Sequence, residues 1–98
     1  MWLKFDGIAP FEGTMKEAII DGKELLIGCN NGKLFCALNS CPHEEIKLTL
    51  GCIKDNRINC SLHGYSFDLD NGYSSDDNVE NLQMFEIKQE DSDLYIKV

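Results

Sequence analysis

Apolar and polar residues alternate in short runs along nearly the whole chain. Trp2–Phe5, Lys16–Ile20, Lys23–Cys29, Lys33–Leu38, Tyr65–Leu69, Leu82–Lys88 and Leu94–Val98 each read as a strand. Asp21-Gly22 and the group Asn30-Asn31-Gly32 separate the second, third and fourth of these runs. Asp-Gly and Asn-Gly tolerate the positive φ angles of tight hairpin turns, so residues 16–38 are predicted to form a three-stranded meander. Glu90-Asp91-Ser92-Asp93 is predicted to turn a last hairpin, and Asp70-Asn71-Gly72 to end the strand before it. Cys52 begins a further short strand, and Gly7–Gly13, which contains Pro10, reads as a loop. Only Thr14–Ile20 offers room for a helix, and the glycines at 13 and 22 confine it. The pattern predicts an all-β protein, a small antiparallel sheet structure without internal repeats.

Composition narrows this picture. Ninety-eight residues make a single domain, with one modest core. Domains of this size often supplement a thin core with a metal or with disulfides. A formal charge of −8 argues against a nucleic-acid binder, because phosphate contacts need a basic surface. The start, MWLKFDGIAPFEG, has no long apolar run, so neither a signal peptide nor a membrane span is expected and a cytoplasmic location is. In that reducing setting the five cysteines are better placed to bind metal than to form disulfides.

The candidate chemistry lies between residues 41 and 63, which hold three of the five cysteines and both histidines. Two hooks stand out, Cys41-Pro42-His43 and Cys60-Ser61-Leu62-His63, with sixteen residues between His43 and Cys60. Cysteine is often just a small buried hydrophobe, and a lone histidine is more often structural than a ligand. Here, however, each histidine sits within three residues of a cysteine, on a segment rich in turn formers. Two cysteines and two histidines could bind zinc tetrahedrally. Zinc fingers usually pair like with like in each hook, whereas here each hook supplies one of each. That mixed order is what a two-iron, two-sulfide cluster needs when one iron takes two thiolates and the other two imidazoles.

The hooks and the residues after the second one, His63-Gly64-Tyr65-Ser66-Phe67-Asp68-Leu69-Asp70-Asn71-Gly72, resemble the signature of Rieske ferredoxins. The likeness extends over nearly the whole chain, from the segment before the first hook to the closing LQMFEIKQEDSDLYIKV. It implies a Rieske iron–sulfur-protein fold: an antiparallel base with a cluster-binding subdomain, about residues 39–75, inserted into it. It also implies one [2Fe-2S] cluster per chain, with Cys41 and Cys60 on the inner iron and His43 and His63 on the outer one.

Departures from the family pattern inform the function. Rieske proteins of cytochrome bc complexes carry a further cysteine in each loop, joined as a disulfide; Ile46 and Leu62 stand there in this chain. Those proteins also place serine and tyrosine donors beyond the second hook, where this chain has Tyr65 and Phe67. A proline common in the third loop is missing from Ser74-Ser75-Asp76-Asp77-Asn78, so that loop is expected either to move or to cover the cluster with Asx-type turns. Cys29, Cys36 and Cys52 stand in no C-x-x-C pair and are expected to pack in the core or at edges. Glu44 and Glu45 read as solvated, and Ile46 and Leu48 as cover for the cluster.

The chain has no G-x-G-x-x-G turn for a dinucleotide, so substrate chemistry is expected on a partner rather than here. The hook sequences are similar to ferredoxins of multicomponent toluene-type monooxygenases and of aromatic-ring dioxygenases. The resemblance therefore implies a monomeric one-electron carrier between a flavin-dependent, NADH-oxidising reductase and a terminal oxygenase with a di-iron or mononuclear iron centre. Partners would dock over the rings of His43 and His63, and the acidic residues dense from Asp68 to Asp93 either steer that encounter or serve solubility alone. A small Rieske subunit of a nitrite-reductase-like complex and a zinc-stabilised binding module remain as alternatives. Hydrogen bonds to cluster sulfur stabilise the added electron, so the loss of two donors should lower the potential. A redox titration is expected to give a midpoint near the bottom of the Rieske range, about −150 mV, and a clearly positive midpoint would contradict this.

Overall fold

Two-residue turns set the strand pairing. Asp21 and Gly22 have φ of 53° and 75°, and Asn31 and Gly32 have 55° and 74°. Asp55 and Asn56 follow at 52° and 59°, and Asp91 and Ser92 at 49° and 74°. Two successive left-handed residues give the mirror-image turn whose twist matches that of the flanking strands. The computed structural model describes residues 1–42, 46–61 and 64–98. Its strands are β1 (Trp2–Phe5), β2 (Met15–Ile20), β3 (Lys23–Asn30), β4 (Lys33–Leu38), β5 (Cys52–Lys54) and β6 (Arg57–Asn59). They continue with β7 (Ser66–Asp68), β8 (Met84–Phe85), β9 (Ile87–Glu90) and β10 (Asp93–Lys97). One 3-10 turn, Leu48–Leu50, completes the elements among the described residues.

The strands form three antiparallel sheets, with orders β1-β10-β9, β2-β3-β4-β8 and β5-β6-β7. The second is the middle layer. On one face, Ala18, Ile20, Leu25, Ile27 and Cys36 pack with Leu94 and Ile96 of β10. On the other, Leu26, Phe35 and Ala37 pack with Leu48, Ile58, Phe67 and Leu82. The strand β3 therefore buries both its faces, which is why Leu25-Leu26-Ile27 reads as a continuous apolar run rather than an alternation. No helix of the described residues is long and apolar enough to cross a membrane.

The all-β expectation and the 16–38 meander agree with this structure, and three local expectations change. Thr14–Ile20 supplies no helix; Met15–Ile20 is the edge strand β2, paired residue for residue with β3. The run Leu82–Lys88 is divided at Glu86: Met84 and Phe85 pair with β4, whereas Ile87 onwards pairs with β10. The chain crosses between sheets there, which an uninterrupted alternation cannot reveal. The strand β6 was not foreseen, because its turn, Asp55-Asn56, contains no glycine; both residues nonetheless accept the left-handed region.

Gly72 ties the end of β7 to the segment that enters β8. Its N–H donates to the Asp68 carbonyl at 2.7 Å, and its carbonyl accepts from the Leu82 N–H at 2.8 Å. Its φ is 79°, and a Cβ there would run into the Leu82 carbonyl oxygen and the Met84 side chain. Gly72→Ala is expected to destabilise the fold by about 2 kcal/mol or more, read as a lower midpoint in chemical denaturation; an unchanged midpoint would contradict the tight approach.

Candidate metal centre

Each hook is closed by the same backbone bond. The Cys41 N–H donates to the Ile46 carbonyl at 2.8 Å, and the Cys60 N–H donates to the Tyr65 carbonyl at 2.8 Å. In both, the cysteine amide reaches the carbonyl five residues on. The first loop follows β4, and the second links β6 to β7. Their cysteines lie in the same core: Cys41 is 0% exposed, Cys60 is 5% exposed, and both belong to the cluster that includes Leu26, Leu48 and Phe67. His43 and His63 lie outside the described residues, as do Glu44, Glu45 and Leu62. Among the described residues no group of three or more His, Cys, Asp or Glu side chains gathers as a metal site. Of the predicted set, the described residues include only Cys41 and Cys60, which share one apolar core.

Apolar residues surround that pair. Leu48 is fully buried in the same core, with Ile46, Tyr65 and Val79 packed against it. Phe67 is wholly buried, and its side chain has no donor to offer. The proline-free third loop is held by local side-chain bonds instead. The Asp76 N–H donates to Ser74 Oγ at 3.1 Å, the Asn78 N–H to Asp76 Oδ1 at 2.8 Å, and the Ser74 N–H to Asn81 Oδ1 at 2.9 Å. These are the Asx- and serine-type turns that such a sequence favours.

The other cysteines sit elsewhere. Cys36 is buried in the opposite core, beside Ile27 and Leu94, and burial pushes its thiol pKa up to about 12. Cys29 is half-buried; its Sγ donates to Glu12 Oε1 at 3.6 Å, and its pKa is raised first by burial and then by the Glu12 charge. Cys52 is exposed on β5, outside both cores.

One residue that matters to the first hook escaped the sequence reading. Asn39, 3% exposed, lies two residues before Cys41. Its Nδ2 donates to Glu17 Oε1 at 3.3 Å and to Thr49 Oγ1 at 3.2 Å, while its Oδ1 accepts the Thr49 N–H at 3.1 Å. Its own N–H donates to the Glu24 carbonyl at 3.0 Å. Asn39 thus pins both ends of the first loop to the β2–β3 hairpin. In sequence it reads only as a turn former, because its partners are 10 and 22 residues away. Lys47 Nζ stands 2.8 Å from Glu17 Oε1 and completes the strut.

Two buried cysteines, each at the start of a segment closed by a backbone hydrogen bond, enter a single apolar core. A family model described as the Rieske [2Fe-2S] domain matches residues 2–86. Human apoptosis-inducing factor 3 is 27% identical over 86 residues, covering 87% of this chain and 14% of that protein. The chain thus spans about one seventh of that relative's length. The ferredoxin component of the naphthalene 1,2-dioxygenase system of Pseudomonas putida is 30% identical over 61 residues, covering 62% of this chain and 59% of that one. Among solved structures, a Sphingomonas yanoikuyae ferredoxin superposes with a TM-score of 0.87 at 22% identity, over 98% of this chain and 97% of that one. At that identity the superposition speaks for the fold.

The strut predicts a pH dependence. The hydrogen bond and charge of Lys47 hold the Glu17 carboxyl below its ordinary value of 4.5. The same contact raises Lys47 above its ordinary 10.5. A carboxyl depressed in the folded state contributes stability above its unfolded pKa and loses it as pH falls through the folded one; for the raised lysine the loss comes as pH rises through its folded pKa. The pair therefore contributes fully between 4.5 and 10.5. Thermal melts should show Glu17→Gln less stable than the unaltered protein near neutrality, with the gap closing below pH 4.5. Asn39→Leu should cost about 1–3 kcal/mol, because the Thr49 N–H loses its acceptor.

Proposed function

The chain belongs to the Rieske [2Fe-2S] domain family, and on that premise we propose that it is a one-electron carrier serving an oxygenase system. A [2Fe-2S] cluster is the group that this domain holds, and when bound it takes up and releases one electron at a time. Cys41 and Cys60 serve as the thiolate ligands of one iron, and His43 and His63 as the imidazole ligands of the other, within a cluster-binding part of about residues 39–75. The observation that carries this reading is the pair of identically closed hooks that bury Cys41 and Cys60 in one core.

The protein's own part is to hold the ligands and keep water away. The backbone bonds from Cys41 to Ile46 and from Cys60 to Tyr65 fix both loop mouths. Leu48 and Phe67 share the apolar core of the cysteines, and Val79 packs against that core. A dry, shaped pocket of this sort controls potential as strongly as the ligands do.

The Pseudomonas putida relative, the ferredoxin component of a dioxygenase system, supports an oxygenase as the electron acceptor. The donor is a flavin-dependent ferredoxin reductase, the acceptor has a di-iron or mononuclear iron centre, and substrate chemistry takes place there. A cytoplasmic location accords with these partners. Much of the acidic stretch that would steer docking is already engaged. Asp70 pairs with Lys33 at 3.2 Å, Asp68 with Arg57 at 3.8 Å, and Asp93 with Lys4 at 3.7 Å. Steering then depends on the remaining negative charge, and it weakens with salt.

Purified protein should contain iron and acid-labile sulfide in equal amounts and show a reduced-state electron paramagnetic resonance signal. Cys41→Ser or Cys60→Ser should abolish it, while Cys52→Ser, altered at an exposed β5 position, should leave it intact. A colourless protein with stoichiometric zinc would overturn the reading.

A further inference from the structure

Arg57 lies on β6, three residues before Cys60, and faces Asp68 across the β6–β7 pair. Its guanidinium reaches four acceptors. Nε donates to Ser66 Oγ at 2.8 Å, and Nη2 donates to the Ser66 carbonyl at 3.4 Å and the Tyr73 carbonyl at 3.2 Å. Nη1 stands 3.8 Å from Asp68 Oδ2. Those two carbonyls already accept the backbone bonds that lay the following segment along β7: the Ser75 N–H donates to the Ser66 carbonyl at 2.8 Å, and the Asp68 N–H to the Tyr73 carbonyl at 3.0 Å. Ser75 Oγ in turn accepts the Ser66 N–H at 3.1 Å.

The location gives this brace its consequence. Ser66 is the first residue of β7, next to Tyr65, whose carbonyl closes the second hook. Ser66 and Phe67 point to opposite faces of their strand, and Phe67 is in the core with Cys60. Ser66 is nevertheless only 8% exposed, because Arg57 and the segment at 73–75 cover it. That segment leads into the third loop, where Val79 packs on the core of Cys41 and Cys60. A planar fork with several donors can brace two carbonyls and a hydroxyl at once, which a lysine ammonium on its flexible stem does poorly.

We infer that Arg57 is a positioning residue for the cluster: its fork locks the third loop onto the strand leaving the second hook, and its positive charge stabilises the added electron. Its side chain is 33% exposed, so its field is only partly screened, and its Asp68 partner at 3.8 Å offsets part of its charge. The inference rests on the reading of Cys60 as a cluster ligand, and it adds a determinant of potential outside the ligand set.

Amide exchange and redox titration separate the two roles. In Arg57→Met the amides of Asp68 and Ser75 should exchange about tenfold faster while those of β2–β4 keep their protection, and the midpoint potential should move negative. Arg57→Lys should also speed those two amides but leave the midpoint close to that of the unaltered protein, because the charge remains. Exchange at Asp68 and Ser75 less than about threefold faster in both variants, or faster to the same degree across β2–β4, would overturn the brace. A midpoint unmoved in Arg57→Met, or moved as far in Arg57→Lys, would overturn the role of the charge. Iron and sulfide content of the unaltered protein is measured alongside; their absence counts against the ligand assignment, and the amide exchange still decides on Arg57.

Discussion

The burial of three consecutive side chains, Leu25, Leu26 and Ile27, constrains the rest of the molecule. All three are 0% exposed, and on a strand neighbours point to opposite faces. Each is worth about 1.5–3 kcal/mol only if its own face is covered. One sheet cannot cover both. The terminal strands β1, β9 and β10 close one side over Leu25 and Ile27, while the hooks, the 3-10 turn and β5–β7 close the other over Leu26. The two hooks are therefore no appendage: Cys41 and Cys60 are part of the packing that stabilises β3.

A cluster site needs its ligands held in place before an electron arrives, since movement on reduction would slow transfer. The backbone supplies the first restraint, with one hydrogen bond closing each loop. Side chains supply the second from outside: Asn39 ties the first hook to the β2–β3 hairpin, and Arg57 ties β7 to the third loop. Both belong to connected polar networks, and among the described residues no buried side-chain nitrogen or oxygen lacks a hydrogen-bond partner. Partly satisfied networks in such a setting would be costly, because low dielectric surroundings penalise every unmade bond. The third loop follows the same logic without proline, replacing a fixed φ with backbone N–H bonds accepted by the side-chain oxygens of Ser74, Asp76 and Asn81.

Net charge is a weaker guide than position. The chain carries −8 overall, yet Asp68, Asp70, Glu86, Glu90 and Asp93 all stand in ion pairs with lysine or arginine. Exposed pairs of this kind add little stability. Their effect is to reduce the field that a docking partner meets on the side of the acidic stretch.

The all-β class, the hairpins at Asp21-Gly22 and Asn31-Gly32, and the alternating cysteine and histidine order were legible because each rests on neighbours in sequence. A tight turn needs residues that accept positive φ, and the order of cysteines and histidines is read directly from neighbouring positions. The Asp55-Asn56 turn was legible in principle, and only the lack of glycine hid it. The division of Leu82–Lys88 between two sheets, the strut at Asn39 and the brace at Arg57 were decided by tertiary structure. Asn39 is 22 residues from Glu17, Arg57 is 16 from Tyr73, and Met84 pairs with Ala37 across the molecule. Which polar group meets which partner over such separations depends on how three sheets stack, and that is fixed by the burial of side chains no local pattern brings together.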